Sequence, residues 1–202
     1  AGIRFLMRSL KRDSVFVDVG AHLGYFSVIA ASVAAKVFAI EPLEFLIQRI
    51  HRNAMANHRD NVSTIFAAVG ETPGLVAMPK TGSASSSLDN ESQHFVPMIR
   101  LDDYFAGDTL PTHLKIDTEG FEYQVLQGAR RILESRPVIL MEVHEAMDKF
   151  GHTRSDLYHL LADELGYEVS YARHRARNAK FARANVDAMA KFNDMMIICQ
   201  PK

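Results

Sequence analysis

Cysteine, net charge and long apolar stretches are what this sequence has least of. The chain of 202 residues has one cysteine, Cys199, which excludes an internal disulfide framework and a cysteine-built zinc site and fits a reducing cytoplasm. Its 23 Lys and Arg nearly balance its 24 Asp and Glu, whereas general nucleic-acid binders are usually strongly basic. No apolar run approaches the roughly 18 residues that span a bilayer. The composition therefore predicts a cytoplasmic globular protein with no nucleic-acid and no membrane partner.

Short apolar runs alternate with longer amphipathic stretches, which predicts a single doubly wound α/β domain over residues 1–202. Strands are predicted at residues 14–19, 36–40, 62–67, 94–101, 113–117, 138–143, 167–171 and 195–199, and helices at 23–35, 43–57, 123–135 and 154–165. Right-handed crossovers between these elements give a mainly parallel sheet covered on both faces. The last two strands lack an intervening helix, so we expect them to pair as an antiparallel hairpin. The remaining segments are predicted as a helical lead-in (1–13), a loop insertion (73–93) and a basic hairpin loop (173–193).

The first predicted strand runs into a glycine turn, DVGAHLG at residues 18–24. Gly20 permits a tight turn, and Gly24 permits close packing of the next helix. A dinucleotide-binding turn has a middle glycine where this chain has His22, and Asp18 would repel a diphosphate but suit an ammonium group. Glu41 ends the second strand at about the offset where a carboxylate binds ribose hydroxyls. This set favours S-adenosylmethionine, with a nicotinamide cofactor or a purely structural turn as the alternatives.

Acidic residues and a histidine follow the fourth and fifth main strands, at the same predicted edge of the sheet. Asp117 and Glu119 lie two residues apart and could face the same side. Either carboxylate, or His144 near neutral pH, could take a proton from a hydroxyl group. The carboxylates could instead coordinate Mg²⁺ together with Glu142 or His144. Glu119 could also merely cap the following helix, and Lys115 is expected to do no more than pair with a carboxylate.

Several blocks of the chain together resemble the FkbM-type family of class I S-adenosylmethionine-dependent methyltransferases. The most specific block is LKIDTEGFE at residues 114–122. The others are FVDVGAHLGYFS (16–27), FAIEP (38–42), AVGE (68–71), VLQGA (125–129) and RP (136–137). The resemblance spans residues 15–145 and departs at His22, where the family more often has Asn.

This resemblance implies a seven-stranded, Rossmann-like sheet with a reversed last strand. It also implies methyl transfer from S-adenosylmethionine, usually to a hydroxyl of a sugar or natural product. The residues predicted to bind the cofactor are Asp18, Gly20, Ala21, His22, Gly24, Glu41, Pro42 and Ala68, with segment 67–71 near adenine. The residues predicted for catalysis are Asp117, Glu119 and His144, and a need for Mg²⁺ is left open.

The expected partner is a small hydroxylated acceptor, sugar-like or a natural product. A basic run favours an anionic or glycosidic acceptor, unless it is only a solvated loop; it comprises Arg173, Arg175, Arg177, Lys180 and Arg183. The Ser-rich segment 82–87 could close over this acceptor as a lid or remain a surface loop. Two other functions stay open: a nicotinamide-dependent oxidoreductase, and a non-catalytic nucleoside-binding domain.

Overall fold

The computed structural model describes residues 2–79, 93–107, 109–173, 180–191 and 194–202. Its strands, in chain order, are β1 (Val15–Val19), β2 (Lys36–Glu41), β3 (Val62–Phe66), β4 (Ala68–Val69), β5 (Gly74–Pro79), β6 (Gln93–Ile99), β7 (His113–Ile116), β8 (Val138–Val143), β9 (Tyr167–Arg173), β10 (Ala182–Arg183) and β11 (Met195–Pro201). Its α-helices are α1 (Gly2–Ser9), α2 (Tyr25–Ala30), α3 (Glu44–Ala56), α4 (Leu101–Tyr104), α5 (Glu122–Gln127), α6 (Arg130–Glu134), α7 (Arg154–Tyr158) and α8 (Val186–Ala190). A 3₁₀ helix covers Glu145–Phe150, and a π-helical turn covers His159–Glu164.

The main sheet has the strand order β10-β9-β11-β8-β7-β1-β2-β3. The five strands from β8 to β3 in this order run parallel, and β11 is antiparallel to both β8 and β9. The predicted mainly parallel α/β sheet with a reversed last strand is therefore confirmed. The two-residue strand β10 adds an eighth strand to the seven that were predicted.

Strand β1 is buried along its whole length because helices cover both faces of the sheet. Phe16 packs in a cluster with Leu6 of α1, and the next residue, Val17, belongs to the cluster on the other face with Leu126 of α5 and Ile132 of α6. This alternation is the period-2 pattern of a strand between two apolar layers. It leaves the carboxyl end of the strand as the place where polar groups can collect.

Two predicted loops contain regular structure. Within 73–93, β5 pairs antiparallel with β6, and β6 also pairs with β4 in a small second sheet. The loop prediction rested on Gly and Pro residues, but Val76 lies opposite the buried Val96, and this apolar pairing favours a strand. Residues 80–92, which include the Ser-rich segment, lie outside the described residues.

The second predicted loop, 173–193, is also corrected by the structure. Arg173 still belongs to β9, and the segment further contains β10 and helix α8. Helix α8 forms because the Asn185 side chain accepts a hydrogen bond from the N–H of Ala188, an N-cap, and because Met189 is buried. Arg175 and Arg177 lie outside the described residues.

The predicted helix 123–135 is two helices, α5 and α6, separated at Gly128 and Ala129. Gly128 lies so close to the carbonyl oxygen of Gly70 that a Cβ atom there would collide with it. The carboxylate of Asp102 accepts hydrogen bonds from the N–H groups of Arg131 (2.9 Å) and Ile132 (3.0 Å), and these are backbone donors at the start of α6 that have no partner within the helix.

Within the described ranges, no helix is both long and apolar enough to cross a membrane.

Candidate active site

The turn after β1 packs directly against the end of β7. Gly20 has a φ of +73°, and a Cβ atom at this position would collide with the carbonyl oxygen of Asp117. Both the left-handed backbone and this close approach require glycine. The N–H groups of Gly20 and Ala21 donate to the carbonyl oxygen of Ile40 at the end of β2. The turn is thereby joined to the ends of β2 and β7.

Glu41, the last residue of β2, holds the middle of the same turn. Its Oε2 accepts a hydrogen bond from the N–H of His22 (2.8 Å), and its Oε1 accepts one from the N–H of Leu43 (3.1 Å). His22 occupies the left-handed region with a φ of 52°. Burial raises the pKa of Glu41, although the two hydrogen bonds oppose this shift. Each carboxylate oxygen can accept one further hydrogen bond from a ligand.

A buried lysine joins Asp18 of β1 to Asp117 after β7. The Lys115 Nζ lies 3.3 Å from Asp18 Oδ1 and 3.2 Å from Asp117 Oδ2, and it donates to the carbonyl oxygen of Gly20 at 3.0 Å. The Asp18 Oδ2 accepts a hydrogen bond from the Ser27 hydroxyl at 2.6 Å. Burial lowers the pKa of Lys115, but Asp18 and Asp117 outweigh it and raise this pKa, so the lysine is protonated.

This arrangement corrects one expectation about Asp18. The sequence predicted that its carboxylate would face the ammonium group of a ligand. In the structure the carboxylate is 1% exposed, and the ammonium group beside it is that of Lys115. Asp18 therefore acts on the turn through Lys115, whose Nζ also bonds Gly20.

A second cluster surrounds His144, the residue that follows β8. The buried carboxylate of Glu122 lies 2.7 Å from the His144 Nδ1. The opposite ring nitrogen, Nε2, lies 3.5 Å from Glu142 Oε1, 3.7 Å from Glu119 Oε2 and 3.9 Å from Asp117 Oδ1. The structure thus brings together Asp117, Glu119 and His144, as the sequence predicted from neighbouring strand ends.

The protonation of His144 differs from the expectation. Burial lowers the pKa of His144, but hydrogen bonds to Glu122 and Glu142 and the charges of Glu122 and Glu119 outweigh it and raise this pKa to about 10. The ring carries a proton at neutral pH in the absence of a metal ion, so it cannot accept another. The raised pKa argues against His144 as the base in the metal-free protein, and its catalytic role stays a prediction.

Glu119 does not cap the helix that follows it. The residue at the N-cap position of α5 is Phe121, and no side chain caps it. Glu122 instead accepts hydrogen bonds from the N–H groups of Gly120 (3.0 Å) and Thr118 (3.4 Å). The Glu119 side chain is 64% exposed, and its residue has a φ of 54°. Its carboxylate therefore faces both His144 and solvent.

The segment predicted to lie near adenine reaches the same edge of the sheet. Ala68 belongs to β4 and pairs with Met98 of β6, and Gly70 donates its N–H to the carbonyl oxygen of Ile99. A Cβ atom at Gly70 would lie 3.0 Å from the Phe121 ring, in the loop between β7 and α5. Pro42 directly follows Glu41.

Ser27 and Glu122 are site residues that the sequence analysis missed, whereas Lys115 pairs with carboxylates as expected and also bonds Gly20. Lys115 and Asp117 are two residues apart, so they share one face of the strand. Lys115 also lies beside Asp18 in the parallel register of β1 and β7. A lysine inside an apolar strand, two residues before a carboxylate, was the signal for this ion pair.

The fold and site define a class. An antiparallel β11 between β8 and β9, a glycine turn after β1 and an acidic residue ending β2 are the features of a Rossmann-like methyltransferase fold. A solved structure of methyltransferase FkbM from Methylobacillus flagellatus is similar, with a TM-score of 0.60 and 19% identity over 94% of this chain and 44% of that chain. A protein of Streptococcus mutans solved in complex with SAH is similar, with a TM-score of 0.57 and 11% identity over 98% of this chain and 92% of that one. At these identities, the likeness shows the fold.

The family follows from the sequence comparison. Residues 18–169 match the family model of the methyltransferase FkbM domain, and the chain belongs to this family. The hexuronic acid methyltransferase AglP of Haloferax volcanii is 27% identical over 151 residues. The match covers 72% of this chain and 62% of that protein. This chain thus spans less than two thirds of the length of that relative.

Proposed function

We propose that the protein is an S-adenosylmethionine-dependent O-methyltransferase acting on a hydroxyl of a small, anionic, sugar-like acceptor. Three findings support this: the FkbM family, a relative named for hexuronic acid methylation, and a similar fold solved with SAH. The observation that carries the proposal is the pair of distances from Lys115 Nζ to Asp18 (3.3 Å) and to Asp117 (3.2 Å). Lys115 thereby joins two groups into one site: the turn that would hold the methyl donor, and the carboxylates that would serve the acceptor.

The chain has groups that suit the donor. The turn from Gly20 to Gly24 would hold the methionine part, and Glu41 would accept hydrogen bonds from the ribose hydroxyls. Segment 67–71 would lie along the adenine. When bound, S-adenosylmethionine supplies a methyl group whose bonding electron pair returns to sulfur as S-adenosylhomocysteine forms.

The acceptor side has two carboxylates that can take the hydroxyl proton. Asp117 and Glu119 are both partly exposed, and the two cations beside them, Lys115 and His144, fix their positions. Orientation of the acceptor supplies about 7–11 kcal/mol to such reactions. General-base catalysis adds roughly 10²–10⁴-fold.

Arg173 would attract an anionic acceptor. It pairs with Met195, which in turn pairs with Val143, the residue before His144. With strands about 4.8 Å apart, the Arg173 backbone lies about 10 Å from that of Val143, at the same edge of the sheet. A guanidinium group there suits the carboxylate of a hexuronic acid.

The experiment is calorimetric titration with S-adenosylhomocysteine and with NAD. We expect binding of the first and none of the second. Glu41→Gln should weaken S-adenosylhomocysteine binding about tenfold or more, since it removes a charge-assisted hydrogen bond worth about 1.5–3 kcal/mol. Glu44→Gln, on the exposed first turn of α3, is the matched control and should bind as the wild type does. Comparable binding of NAD would contradict the proposal.

A further inference from the structure

We propose that Asp117, Glu119 and His144 bind one divalent metal ion. Its role in methyl transfer rests on the proposed function, whereas the site itself stands on geometry. One ligand atom from each of the three residues lies within 4.8 Å of the other two. Two ligands that each lie about 2.1 Å from one ion are about 3.0–4.2 Å apart. The distances from His144 Nε2 to Glu119 (3.7 Å) and to Asp117 (3.9 Å) fall in this range.

The orientation of the His144 ring is the second, independent observation. The residue is 8% exposed, and its Nε2 is directed into the gap between the carboxylates. The Nε2 contacts to carboxylate oxygens are all longer than the Nδ1 contact, the shortest being the one to Glu142 at 3.5 Å. On the other side of the ring, the carboxylate of Glu122 holds Nδ1 at 2.7 Å. A metal-bound histidine is usually oriented by a carboxylate in this way.

The charges of the cluster also favour a cation. The carboxylates of Asp117, Glu119, Glu122 and Glu142 surround His144, and Lys115 contacts one of them, Asp117. Partly buried groups of one sign repel each other unless they are neutralised. A divalent ion bound among these carboxylates would offset part of their negative charge.

The ligand atoms of the proposed site determine which kind of metal ion fits it. Carboxylate oxygens suit Mg²⁺, Mn²⁺ and Ca²⁺, whereas an imidazole nitrogen suits transition metals and Zn²⁺. The mixed set therefore fits Mn²⁺ better than the Mg²⁺ considered from the sequence. At this position the ion would bind the acceptor hydroxyl oxygen and lower its pKa, so that a carboxylate of the cluster or water takes the proton before the oxygen takes the methyl group.

The test is titration of the EDTA-treated, dialysed protein with Mn²⁺, with free Mn²⁺ followed by electron paramagnetic resonance. We expect one Mn²⁺ per chain, at least tenfold weaker binding in Asp117→Asn and in Glu119→Gln, and competition by Mg²⁺ only at much higher concentration. Asp163→Asn is the matched control, since Asp163 contacts His159 at 2.6 Å on the exposed surface. This variant should bind Mn²⁺ as the wild type does.

The outcomes separate this inference from the proposed function. Absence of a site tighter than about 1 mM, binding that survives Asp117→Asn, or equal competition by Mg²⁺ would overturn the metal site. S-adenosylhomocysteine binding is measured on the same samples. If no Mn²⁺ site is found but S-adenosylhomocysteine binds and methyl transfer proceeds in EDTA, the metal site fails and the proposed function stands. If Mn²⁺ binds as expected but S-adenosylhomocysteine does not, the metal site stands and the proposed function fails.

Discussion

Lys115 is the residue that joins the two halves of the site. Its ammonium group contacts Asp18, Asp117 and the backbone of Gly20, and its side chain is 6% exposed. A buried charge pair of this kind contributes little net stability, but removal of one partner leaves the other charge unpaired. The lysine therefore makes the geometry of the glycine turn after β1 depend on the position of Asp117.

We predict that Lys115→Met lowers the free energy of unfolding by about 3–5 kcal/mol, because it leaves the Asp18 carboxylate buried without a cation. Urea denaturation followed by circular dichroism measures this change. The double variant Asp18→Asn/Lys115→Met removes both charges and should recover most of the loss. If Lys115→Met were as stable as the wild type, Asp18 and Lys115 would not form a buried, energetically coupled ion pair.

His144 gives a pH dependence to the stability of the metal-free protein. Its pKa is raised to about 10 in the folded state, against about 6.5 in an unfolded chain. The stabilisation is fully present below pH 6.5 and is lost as the pH rises through 10. In EDTA, the free energy of unfolding should therefore fall by about 2 kcal/mol between pH 6.5 and 8.5. His144→Gln should lack this fall, and parallel pH profiles of the two proteins in urea denaturation would refute the assignment.

The individual site residues were only partly predictable. The meeting of Asp117, Glu119 and His144 could be predicted, because the carboxyl ends of adjacent parallel strands share an edge. The partner of Asp18 could not be predicted, because the sequence does not show that Lys115 lies beside Asp18 in the register of β1 and β7. The protonated state of His144 depends on four carboxylates from three segments, which no local pattern reveals.

At the scale of elements, Gly128 sets the boundary between α5 and α6. Its φ of −78° suits any residue, so helix propensity alone predicts that Gly128→Ala stabilises the protein. The carbonyl oxygen of Gly70 occupies the place of the new methyl group. We therefore predict a loss of about 1–3 kcal/mol in the free energy of unfolding, measured by thermal and urea denaturation.

The control for this variant is Gly107→Ala, where a Cβ atom would meet nothing within 4 Å. It should change stability by less than about 0.5 kcal/mol. If Gly128→Ala were stabilising, the close contact between α5 and the segment after β4 would be refuted.

The type of each element, helix or strand, was predicted best where an apolar run dominates the segment. The strands β1, β7 and β8 lie in apolar runs and were predicted to within one residue at each end. Strand β5 was missed because glycine and proline residues surround it, and only its pairing with β6 shows it to be a strand. The break between α5 and α6 was missed because its cause, the backbone of Gly70, lies more than 50 residues earlier in the chain.

At the scale of the whole molecule, the sheet places two groups on one edge: the turn proposed to hold the methyl donor and the carboxylates proposed to serve the acceptor. Strands β1 and β2 supply the turn and Glu41, and β7 and β8 lead into Asp117 and His144. Because β1 and β7 are neighbours, Asp117 packs directly on Gly20. A methyl group would therefore pass between two groups held by adjacent strands.

The measurement that tests this account most directly is transfer of label from S-adenosyl-[methyl-³H]methionine to a glucuronide, compared with an uncharged glucoside. We predict label in an alkali-stable methyl ether of the glucuronide, less label in the glucoside, and a rate about 10²–10⁴-fold lower in Asp117→Asn, with S-adenosylhomocysteine binding retained. Label found only in an alkali-labile ester, or an equal rate in Asp117→Asn, would contradict the account.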